Sequence, residues 1–149
     1  MIRALTYLVL AWAFSIAAFA DTQRISLEVG QVWTIKDAPR PETRVVISLI
    51  EPYDSELSAV HVSMTGVGFG KSATGQTFAG EISHLPFERE ALEASLDRLV
   101  GNARIPGPEF HQGYEEWKKA SGGIFTISVA ETIRVVFETL QITHIEGNE

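Results

Sequence analysis

Histidine is the side chain best suited to moving protons near neutral pH, because its ordinary pKa lies close to that range. The chain carries four: His61, His84, His111 and His144. No two stand at i, i+4, the helical spacing that aims two imidazoles at one metal ion. His61 lies in "LSAVHVSMTG" and His84 in "FAGEISH", stretches that read as strands, so the two meet only if those strands are neighbours. With Glu81 or Glu131 they would then form a mixed nitrogen and oxygen set of the kind zinc or copper accepts. Serines stand near both, Ser63 and Ser83. Nucleophilic catalysis needs a serine, a base and an orienting carboxylate. No G-x-S-x-G elbow surrounds either serine, and Ser83 and His84 are strand neighbours that point to opposite faces. These residues define one reading, a small metal-binding protein or hydrolase built on His61 and His84.

A second chemistry is suggested by "GVGFGKSATGQT". A phosphate-binding loop of the G-x-x-x-x-G-K-[ST] type aims several backbone N–H groups at one anion just before a helix. Gly70, Lys71 and Ser72 fit, but Thr65 occupies the position of the first glycine, Gly66 is one residue too close, and no helix pattern comes after it. The stretch reads instead as a glycine-rich hairpin loop that presents Phe69 and Lys71 as contacts. In "ISHLPFEREAL", Pro86 suits a helix start, Phe87 can bury beside a sheet, and Glu88 and Glu90 favour a helix N-terminus. That segment reads first as a structural junction; its functional reading makes His84 and Phe87 part of a binding surface. Trp33, Tyr114 and Trp117 are large amphipathic side chains, and the spacing in "GYEEW" puts the last two in a core.

The elements that must position these residues fall into two halves. "RISLEV" alternates apolar and polar positions, the period of a half-buried strand. "QVWTIK" comes next as a second strand, and "DAPRPE" interrupts the pattern with two prolines. "TRVVISLIE" is apolar on both faces, with Val45, Ile47 and Leu49 on one and Val46 and Ile50 on the other. After the turn "PYDSE", the fourth strand sets Val60, Val62 and Met64 inward and leaves Ala59, His61 and Ser63 on the outward face. The second half reads as helices. Leu92, Leu96 and Leu99 form one stripe between Pro86 and Val100; Phe110, Tyr114, Trp117 and Ser121 form another. "IFTI" is a brief extended piece. "SVAE" has the form of a capping box, and Val129, Ile133, Val136, Phe137 and Leu140 line a third helix. Strands followed by three amphipathic helices predict an α+β fold, a four- to five-stranded antiparallel sheet or small curled barrel with helices on one face.

Residues 1–20 have the form of a secretory leader: Arg3, the apolar run "ALTYLVLAWAFSIAAFA", and small residues at Ala18 and Ala20. The alternative is an uncleaved anchor, although the run falls slightly short of the roughly 20 residues that span a bilayer. Cleavage after Ala20 would leave residues 21–149 as a single α+β domain in the periplasm or outside the cell. There is no cysteine, which excludes thiol catalysis, disulfide exchange and thiolate zinc sites. The net charge is −7, and −8 without the leader, which carries Arg3 and no acidic residue. Such a surface repels nucleic acid phosphates and anionic lipid headgroups and favours a basic protein partner.

The strings "GQVWTIKD", "VHVSM", "EISHLPFEREALEASLDRLVG" and "FHQGYEEWKKASGGIFTISVAETI" together resemble a group of small bacterial proteins of unknown function. That group shares G-Q-V-W, I-S-H-[LM]-P-F, G-Y-x-x-W and G-[IV]-F-T-I-[SP]-V-A-E, and the likeness runs from Gly30 to about Ile133. Its members mostly lack a leader, a point where this chain departs from them. The resemblance implies one folded unit and no particular activity. The expectation is therefore an exported, acidic, non-enzymatic protein-binding module of the inhibitor or immunity kind. It needs no cofactor or metal and makes contact through His61, Ser63, Phe69, Lys71, His84 and Phe87.

Overall fold

The computed structural model describes residues 25–68, 70–72, 74–75, 77–78, 80–104, 107–140 and 143–144. The leader and Phe69 therefore lie outside the described residues. Five strands build the main sheet: β1 (Gln31–Ile35), β2 (Arg44–Pro52), β3 (Ser58–Thr65), β6 (Ile82–Glu88) and β7 (Leu96–Asn102). Their order is β6-β3-β2-β1-β7 and every pairing is antiparallel. The sheet is open, with β6 on one rim and β7 on the other, so the fold is α+β and not a barrel. Three short strands, β4 (Gly70–Lys71), β5 (Thr77–Phe78) and β8 (Thr143–His144), form a second small sheet.

The helices are α1 (Arg89–Ser95), α2 (Pro108–Lys119) and α3 (Val129–Thr139). One face of the sheet carries Trp33, Ile35, Val45, Ile47, Val60, Val62, Leu85 and Phe87, which join Leu92 of α1 and Val129 and Ile133 of α3 in a single core. The Ser128 hydroxyl accepts from the Glu131 backbone N–H at 3.2 Å, so "SVAE" does start α3. α2 takes the opposite face, where its rings meet His61 and His84. The helices therefore cover both faces rather than one.

Three further expectations are corrected. The stripe through Leu92, Leu96 and Leu99 is not one helix: α1 stops at Ser95 and the chain continues as β7 beside β1. The free edge of β1 needs backbone partners, and this tertiary demand overrides helical periodicity. Leu92 and Leu96 are buried, whereas Leu99 is 46% exposed. "RISLEV" joins no strand over its described part, because both edges of β1 are already paired; Leu27 still buries and Ile25 packs on the core. Leu140, placed in the α3 stripe by its spacing, caps that helix and is 54% exposed.

Two bulges redirect side chains, one on β2 and one on β6. Between the pairs Ile47↔Val62 and Leu49↔His61, β2 has an extra residue, Ser48. Because side chains alternate with period two, one extra residue reverses every face beyond it. Leu49 thus leaves the face of Ile47, and Glu51 arrives on the face of His61. Between Val62↔Leu85 and Met64↔Ile82, β3 has only Ser63 where β6 has Ser83 and His84. His84 therefore sits at a bulge, a common device for re-aiming a side chain.

Candidate functional site

β3 and β6 are neighbours, so His61 and His84 do meet. His61 Nδ1 lies 2.9 Å from His84 Nε2, with the rings stacked at 5.1 Å and 19°. His61 Nε2 lies 3.0 Å from Glu51 Oε1, and the Tyr114 hydroxyl donates to the same carboxylate at 3.1 and 3.2 Å. Lys118 Nζ reaches the Tyr114 oxygen at 3.5 Å. The result is a continuous polar chain from His84 through His61, Glu51 and Tyr114 to Lys118, running from the sheet onto α2.

The positions of the hydrogens are set by the partners. An ionised Glu51 only accepts, so His61 Nε2–H donates to it. The other nitrogen of neutral His61 then accepts, and His84 Nε2–H donates. Burial holds His61 below its ordinary pKa, with the Glu51 carboxylate pulling the other way and losing. Burial, and then the charge His61 would carry, push His84 down to about 4. Both rings are accordingly neutral near pH 7.

Aromatic rings enclose the histidine end of this chain. Phe110, Tyr114 and Trp117 lie at helical spacing on the sheet-facing side of α2. Trp117 meets His61 edge-on at 4.8 Å, and Phe110 meets His84 edge-on at 5.4 Å. The approach depends on Gly113, where a Cβ would stand 2.8 Å from His84 Cβ. Past the helix, the Trp117 indole N–H donates to Gly123 O at 2.9 Å, and a Cβ on Gly122 would meet the same ring. The expectation that "GYEEW" puts Tyr114 and Trp117 in a core is met only in part: both pack against His61 on the α2 face of the sheet, but they are partly buried and outside the main core.

The six expected contact residues separate. His61 is 0% exposed, since α2 covers the face that alternation alone had left outward. Phe87 is also 0% exposed, packed in the core on the other face against Phe125. Neither presents surface to a partner, which corrects both expectations. Ser63 is partly buried with its hydroxyl 3.3 Å from Ser48 Oγ. His84 is partly buried beside His61, and Lys71 is exposed on β4 in the second small sheet.

The metal and hydrolase readings fare differently from the way spacing framed them. Among the described residues, no group of three or more His, Asp or Glu side chains is arranged to hold a metal ion. Glu81 is exposed, and Glu131 stands on α3 across the sheet. A metal or substrate at the pair would need His61 Nδ1 and His84 Nε2 released from each other. Sequence reasoning missed Glu51 and Gly113: Glu51 reaches His61 only through the bulge at Ser48, and Gly113 matters only once α2 lies on β6.

At the Glu51 and Lys118 end of the chain is an open cleft of about 510 Å³ lined by Glu51, Pro52, Tyr53, Trp117, Lys118 and Gly122. Tyr53 is 39% exposed and its ring meets that of Trp117 at 6.4 Å. A larger groove of about 730 Å³ lies along α3, lined by Asp37, Ser128, Ile133 and Phe137 among others. It holds none of the polar chain. No protein-family model matches this sequence, and neither a curated protein nor a solved structure matches it.

Proposed function

We propose that the chain is an exported, non-enzymatic protein-binding module of the inhibitor or immunity kind, with the Tyr53–Trp117 cleft as its docking point. The observation that carries this reading is a division of labour among side chains. The imidazoles best suited to chemistry are turned inward and hydrogen-bonded to their neighbours, and His61 has no exposed surface. Two large aromatics, the residue types that dominate binding energy at interfaces, meet instead beside an open cleft.

The charge favours a basic partner. The whole chain carries −7, and the turn after Tyr53 adds Asp54 and Glu56, both exposed. Lys118 is the local cation, held over the Tyr114 ring at 5.4 Å. A partner arginine or lysine would meet the exposed acids of the turn and the face of Trp117 or Tyr53.

The test is a comparison of partner capture from periplasmic extract by the wild type and by Tyr53→Ala. Tyr53 is exposed enough that its removal should leave the melting temperature unchanged. A partner held by the wild type should lose roughly tenfold or more in affinity, the usual weight of an aromatic anchor. Equal retention by both proteins, or no reproducible partner for either, would sink the reading.

A further inference from the structure

The His61–His84 contact contains one hydrogen between two nitrogens 2.9 Å apart. That arithmetic limits how many protons the pair can hold. A first added proton fits: His61 becomes doubly protonated, still donating to Glu51, while His84 shifts its own hydrogen to Nδ1 and accepts through Nε2. A second added proton does not fit, because two N–H groups would then face each other across the same gap.

His61 has nowhere to retreat, and His84, partly buried, is blocked on the side of α2. His61 is fully buried in an inner strand, β3, with Glu51 on β2 at its other nitrogen. His84 sits at the β6 bulge with the backbone of α2 against its Cβ, since even a methyl group at Gly113 would stand 2.8 Å away. Of the elements packed around the pair, α2 gives way most cheaply. It lies alone on its face of the sheet among the described helices, and β3 is laddered on both sides by β2 and β6. We propose that the His61–His84 pair is an acid-sensitive latch for α2, closed while a single hydrogen lies between the rings and opened when a second one enters.

Among the described residues, the titratable or charged groups facing the pair are few. Glu51 faces His61 from β2, and Tyr114 faces both rings from α2 with Lys118 behind it. Phe110 and Trp117 complete the enclosure without charge. Glu51 stabilises the first proton, which makes the second the decisive one. The direction of the pKa shifts agrees: both histidines fall below their ordinary value, and His84 to about 4 in part because of charge on His61. With folded-state values below the unfolded ones, the unfolded or undocked chain binds protons first. The docked state is therefore fully favoured above about pH 6.5 and loses ground as pH falls towards about 4.

Opening the latch would also take Trp117 out of the Tyr53 cleft, but the latch itself does not depend on anything binding there. The test is an NMR titration of the purified chain from neutral pH into acid, tracking the histidine ring signals and amide exchange in α2 and α3. His84→Gln and His111→Gln run alongside. Glutamine can still donate to His61 Nδ1 but does not titrate; His111 is exposed on the same helix. In the wild type, α2 amides should lose protection by roughly tenfold or more over the pH range in which the His84 ring takes its proton, while α3 amides keep theirs. His84→Gln should move that loss downward by about one pH unit or more, and His111→Gln should leave it in place. The proposal is overturned if α2 and α3 open together at one midpoint that His84→Gln does not shift, or if the His84 ring titrates above its ordinary value. Should His84→Gln fail to fold, the wild-type titration decides alone: an α2 midpoint more than about one pH unit from that of the His84 ring rejects the latch.

Discussion

Gly113 is the residue on which the α2 seat turns most directly. In an exposed helix interior, glycine to alanine stabilises by about 1 kcal/mol, through backbone entropy. Here the added methyl would stand 2.8 Å from His84 Cβ, an atom fixed to a strand rather than the tip of a pliant side chain. Overpacking of that kind costs about 1–3 kcal/mol, so the sign reverses. Gly113→Ala should lower stability by about 1 kcal/mol in urea unfolding, whereas Gly123→Ala, with nothing within 4 Å of its added Cβ, should stay within about 0.5 kcal/mol of wild type. A stabilised Gly113→Ala protein would mean that α2 is not seated as described. At this scale the sequence was partly readable. His61 and His84 stood out by type, and their meeting was conditional on strand adjacency. Glu51 was hidden because its face is set by a one-residue bulge that no apolar pattern announces. Gly113 was hidden because its use lies in a contact between elements far apart in the chain.

At the scale of elements, legibility depended on how local the determinants were. α3 starts where "SVAE" says it should, because a cap is a contact between residues three apart. Ser128→Ala removes that acceptor and should lower stability by about 1 kcal/mol, read as a drop in thermal midpoint by circular dichroism. An unchanged midpoint would show that Thr132, whose hydroxyl bonds Ser128 O at 2.9 Å, and the packing of Val129 hold the turn without the cap. The stretch after α1 was misread for the opposite reason. Its leucines repeat as a helix would, but the decision for β7 comes from the exposed edge of β1 and from Thr34, whose hydroxyl bonds Asp97 at 3.0 Å and accepts from the Arg98 N–H at 3.1 Å. Those partners stand more than sixty residues away. Of "IFTI", expected to be extended, only Phe125 makes a bridge. Its place could not be inferred, since Phe125 bridges β6 in parallel beside Phe87.

For the molecule as a whole, the α+β class was accessible because strands and helices largely segregate along the chain, and the size and charge pointed to one acidic domain. The reading as an exported module rests on the leader, so it makes a prediction at this scale. N-terminal sequencing of protein recovered from the periplasm or medium should begin at Asp21. A chain that retains residues 1–20, or stays in the cytosol, would remove the premise. Among the described residues no helix is long and apolar enough to cross a membrane.

The two rims of the main sheet carry a last consequence. On β7 the ladder slips twice against β1, around Val100 and again at Asp97 and Arg98, and that second slip holds opposite charges. On β6, Phe125 already bonds backbone groups near the end of the strand, donating to Pro86 O and accepting from Glu88 N, both at 2.9 Å. A crooked, charged border on one side and a chaperoned one on the other give a stray strand little to template on. Among the described residues, contact between crowded copies should therefore run through side chains rather than extend the ladder.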